Sequence, residues 1–74
     1  MNTLLNALRQ KLDGEVAVAR ANIEIYITNP VGIGEHPDIV AAIESQFDIL
    51  ANARDKLNAI DFVESSNEMK HHHE

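Results

Sequence analysis

The segment Glu35-His36-Pro37-Asp38 sets two carboxylates and an imidazole side by side. Such a set could hold a metal ion or move a proton, since histidine titrates near neutrality. A plainer reading is a helix start. Glu35 or His36 then lies near the cap, Pro37 is the first helical residue, and Asp38 in the first turn complements the helix dipole. No further ligand or nucleophile converges on the segment in sequence. His71-His72-His73 is the other stretch of metal-binding composition, but consecutive residues on a polar tail do not preorganise a tetrahedral site. A simple polar tail or a purification remnant explains them. Glu44 and Asp48 share the outer face of a helical segment, either as a solvated surface or as an acidic face for a basic partner.

The rest of the chain offers little chemistry. It has no nucleophile motif, no HExxH pattern and no phosphate-binding glycine loop, and Gly32-x-Gly34 is too short for a dinucleotide fingerprint. Tyr26, Phe47 and Phe62 are the only aromatics, too few for a base-stacking platform. No catalytic residue and no cofactor is assigned. The net charge is −6, concentrated in the second half of the sequence, so a nucleic-acid partner, which demands clustered positive charge, is not expected. Cysteine is absent, which fits a reducing compartment and rules out a disulfide staple. The N-terminal apolar run is cut by Asn6 and Arg9, unlike a signal peptide, and no run reaches the ~18 residues of a membrane span. The expected location is the cytoplasm, or the host cytoplasm for a viral protein.

The elements that must position these groups follow from periodicity. Leu5, Leu8, Leu12, Val16, Ala19, Ile23 and Ile27 recur at steps of three and four, the stripe of an amphipathic helix over about 3–28. Arg9/Asp13, Lys11/Glu15 and Arg20/Glu24 are i, i+4 pairs on it. Two features oppose a continuous helix: the turn dipeptide Asp13-Gly14, and the strand-like alternation over 22–28. A strand there has no second alternating run to pair with, so the helix is preferred. A second helix is predicted over about 37–62. Ile43, Leu50 and Leu57 share one heptad position, and Ile39, Gln46, Ala53 and Ile60 another. Residues 29–36, with Pro30, Gly32 and Gly34, form the reversal, where Val31 and Ile33 are expected to plug the end. Residues 1–63 then make one antiparallel helical hairpin, and the polar, aperiodic 64–74 a flexible tail.

Two helices bury one seam, and a chain this short usually needs a further staple. With disulfides excluded, self-association is the expected route: two hairpins forming an all-α four-helix bundle, a dimer first and a higher oligomer second. Ala7, Gly14, Val18, Ala21 and Ile25 form a second line on the first helix, well away from the Leu5 stripe. They are the candidate oligomer interface, small side chains there allowing close approach. The alternative is that alanine is merely a good helix former. Arg54 and Gln46 are expected at bundle edges.

The run Ala21-Asn22-Ile23-Glu24-Ile25-Tyr26-Ile27, followed by Asn29-Pro30-Val31-Gly32-Ile33-Gly34-Glu35-His36-Pro37-Asp38, resembles small uncharacterised helical proteins of marine tailed phages that infect cyanobacteria. The resemblance covers about residues 10–60. It implies a virus-encoded or marine microbial origin and a helical 22–28, and it carries no activity and no site residues. The expected role is a non-enzymatic structural or protein-interaction module that partners itself and a possible second protein. A metal- or ligand-binding protein using Glu35, His36 and Asp38 is the alternative. An acidic mimic that occupies a nucleic-acid-binding protein is a third.

Overall fold

The computed structural model describes residues 2–29 and 38–72, with side chains as far as residue 66. Two helices, α1 (Thr3–Thr28) and α2 (Ile39–His72), pack against one another as a hairpin. The start of α1 is fixed by Asn2, whose side-chain oxygen accepts from the amides of Leu4 at 2.8 Å and Leu5 at 3.2 Å. That satisfies two of the donors a helix N-terminus leaves unpaired. At the other end the Asn29 amide donates to the Ile25 carbonyl and the Thr28 hydroxyl to the Glu24 carbonyl. The helix runs unbroken through Asp13-Gly14 and through 22–28, so the turn and strand tendencies of those segments yield to burial of the stripe.

The second helix departs from expectation at both ends. Its first residue is Ile39: the Asp38 carboxylate accepts from the Ala41 amide at 2.9 Å and the Asp38 carbonyl from the Ala42 amide at 3.1 Å. Asp38 is therefore the N-cap itself. The expected end near 62 is corrected: α2 continues to His72, through the described part of the stretch expected as a tail. Between 39 and 72 there is neither glycine nor proline to stop it. Arg9 also reaches across from α1, donating to Asp61 and Glu64, each at 2.7 Å. A helix needs no apolar stripe to propagate once nucleated, so a polar, aperiodic sequence hides its continuation.

Leu12, Ala19 and Ile23 of α1 and Ala53 and Ile60 of α2 are the buried apolar side chains among the described residues. Leu12, 1 % exposed, seats against Ala53 and Ile60, with Val16 and Leu57 packed beside them. Small alanines opposite larger side chains let the axes come close. Two polar links set the register. Near the reversal, the Asn22 amide donates to Gln46 at 3.1 Å, and at the far end stands the Arg9 fork. The result is a rod of 60 × 18 × 15 Å.

That rod conceals little. Its radius of gyration is 17.2 Å, against about 11 Å for a compact domain of this length. It exposes 5860 Å², where a compact monomer of the same mass would expose about 4,500 Å². Apolar side chains beside the seam are among those left exposed. Ile27 is 62 % exposed, Phe47 48 % and Val40 76 %, and Leu8 is only partly covered.

Candidate interaction surface

The helical geometry sorts the exposed side chains of α1 into two flanks and a back. At ~100° per residue, Val16, Arg20 and Ile27 fall on one side of the buried line through Leu12, Ala19 and Ile23. Lys11, Glu15 and Asn22 fall on the other. Ala7, Gly14, Val18, Ala21 and Ile25 lie toward the back, with Gly14 and Val18 reaching the edge of the Lys11 flank. All five are exposed, Val18 at 61 % and Ile25 at 51 %. A methyl group built on Gly14 would meet nothing within 4 Å.

On the Lys11 flank, the polar groups find partners within the chain. Lys11 pairs with Glu15, which holds that carboxyl below its usual range through the lysine's hydrogen bond and then its charge. Asn22 is occupied by Gln46, which sits half-buried beside the seam. Between them Gly14, Val18 and Ala19 of α1 and Ile49 of α2 line a shallow depression.

The Arg20 flank is built differently. Ile23 and Ile27 of α1 and Phe47 and Leu50 of α2 floor a concave surface, bordered by Arg20, Glu24 and Thr28. It continues along the rod over Val16, Leu50 and Leu57, where Asp13, Arg20 and Arg54 form the rim. Asp55 and Asn58 stand at its outer edge on α2. Among the described residues, Asp13, Arg20, Glu24, Arg54 and Asp55 take part in no ion pair. The i, i+4 pairing expected for Arg20 with Glu24 is not made, nor is that of Arg9 with Asp13, since Arg9 turns across to α2. The Arg9 guanidinium is held above its ordinary pKa, first by the hydrogen bond to Asp61.

The groove is the feature that reading the sequence missed. Each helix taken alone shows only a stripe edge, and the concavity exists only when the edge Val16, Ile27 meets the edge Phe47, Leu50, Leu57. A usable signal was the width of both stripes, broader than one helix–helix seam can cover.

Of the alternative metal-site residues, Glu35 and His36 lie outside the described residues, as do Val31 and Ile33. Asp38 is engaged as the α2 cap. Among the described residues no three His, Cys, Asp or Glu side chains gather in a way that could hold a metal ion. No described helix is long and apolar enough to cross a membrane. Compared with protein-family models, curated protein sequences and solved structures, the chain matches none.

Proposed function

We propose that this chain is a self-associating helical hairpin, a structural or protein-interaction module whose working unit is a four-helix bundle of two copies. The observation that carries the reading is area. One hairpin leaves about 1,300 Å² more surface in water than a compact monomer of its mass. Standard interfaces bury about 800 Å² per partner, so the surplus is of the size one such contact consumes. The protein acts by binding, with no catalytic group assigned, and a phage accessory role is the setting that the resemblance implies.

Sedimentation equilibrium at micromolar concentration tests the reading. The expected species is a dimer of about 16 kDa, twice the chain mass of 8.2 kDa. A helical, cooperatively melting species of 8.2 kDa would remove the proposal.

A further inference from the structure

We infer that two copies meet through the Arg20–Arg54 flank, so that the groove floored by Ile27, Phe47 and Leu50 becomes the inner face of the bundle. This rests on the self-association reading and adds which surface associates and why a second copy fits it.

The first argument is shape. Both helices contribute to the groove, so a partner lying in it covers apolar side chains of α1 and α2 at once. The Lys11-flank depression is also lined by both helices, through Gly14, Val18 and Ile49, so shape admits either flank and the charged rim decides between them.

Charge supplies the second argument. The rim carries both signs, Arg20 and Arg54 against Asp13, Glu24 and Asp55, and among the described residues these groups take part in no ion pair. A uniform polyanion, whether nucleic acid or a lipid headgroup layer, would meet the three carboxylates as well as the two arginines. A two-fold copy presents the same mixed rim reversed. An isologous contact of this kind lets each arginine find a carboxylate across the axis. On the opposite flank the polar groups already pair internally through Lys11–Glu15 and Asn22–Gln46, which leaves them less to offer a partner.

Area supplies the third. The surplus of about 1,300 Å² per copy exceeds the per-partner burial of a standard interface, and Ile27 and Phe47 of the groove floor are among the exposed apolar side chains, with Leu50 half-buried between them.

A charge-swapped pair tests the assignment. One variant carries Arg20→Glu and Arg54→Glu, the other Asp13→Arg and Glu24→Arg. Each alone should dimerise at least tenfold more weakly than wild type, because like charges then face each other, and an equimolar mixture should recover a heterodimer. Wild-type-like dimerisation of both variants alone would overturn the groove as the contact and leave self-association standing. A monomeric wild type would overturn both. If a variant loses helicity by circular dichroism, Phe47→Ser and Val18→Ser read the same question in sedimentation. Selective loss of the dimer in Phe47→Ser supports the groove, and selective loss in Val18→Ser places the contact on the back of α1 and refutes it.

Discussion

Along one flank of the hairpin Lys11 holds Glu15 and Asn22 donates to Gln46, whereas along the other Arg20 and Arg54 stand among Asp13, Glu24 and Asp55 without an ion pair. On the closed flank the depression between the helices is lined in part by polar groups that already have partners. On the open flank a continuous apolar floor runs from Ile27 to Leu57 across both helices. The two flanks are made by the same two helices, so the difference comes from side-chain placement alone. The polar groups of one flank are paired, and the charged groups of the other are the ones a second copy would have to meet.

The largest expected effect comes from breaking the seam that both flanks share. Leu12→Ala removes the side chain seated against Ala53 and Ile60, at a cost of about 3 kcal/mol. Denaturant unfolding followed by helical ellipticity should show it, and a loss under about 1 kcal/mol would mean that Leu12 is not central. The flank comparison is next. Phe47→Ser should weaken dimerisation at least tenfold, or about 1.4 kcal/mol, while Val18→Ser leaves it within a factor of two. Equal effects would erase the distinction between groove and back.

Gly14→Ala sharpens it from the other direction. The added methyl meets nothing within the chain, and alanine is favoured over glycine in a helix interior by about 1 kcal/mol. The thermal midpoint should therefore rise with the dimer intact. A stabilised monomer that no longer associates would show that the back of α1 carries the contact.

The smallest effect is on the closed flank and depends on pH. Glu15 is lowered in the folded state by Lys11. Its contribution is therefore present above the unfolded carboxylate range, about 4.3, and is lost as pH falls through the still lower folded value. Glu15→Gln should remove that small acid-side slope in an ellipticity-monitored titration. An unchanged slope would show that the pair contributes nothing.

Much of this architecture was legible in the residues. The step of three and four from Leu5 to Ile27 marks α1 from end to end, whereas the choice of Asn2 as its cap shows only in the bonds it accepts from the Leu4 and Leu5 amides. The same logic placed the body of α2 but not its ends. Asp38, read as a first-turn acid behind a cap at Glu35 or His36, is itself the cap, as its bond to the Ala41 amide shows. The polar stretch beyond Glu64 has no stripe to read, although its helix continues to His72. Arg9 illustrates why long-range pairing escapes inspection. Asp13 sits four residues away on the same helix, yet Asp61 and Glu64, far along the chain, together offer the guanidinium two acceptors. The groove was illegible for a related reason: it belongs to neither helix by itself.

If the hairpin completes its fold by pairing, its stability must depend on how much protein is present. Thermal unfolding monitored by helical ellipticity across a hundredfold range of concentration tests this directly. The midpoint should climb steadily with concentration, alongside a sedimenting species of about 16 kDa, twice 8.2 kDa. A midpoint that stays fixed across the range would show a hairpin stable on its own and contradict the account.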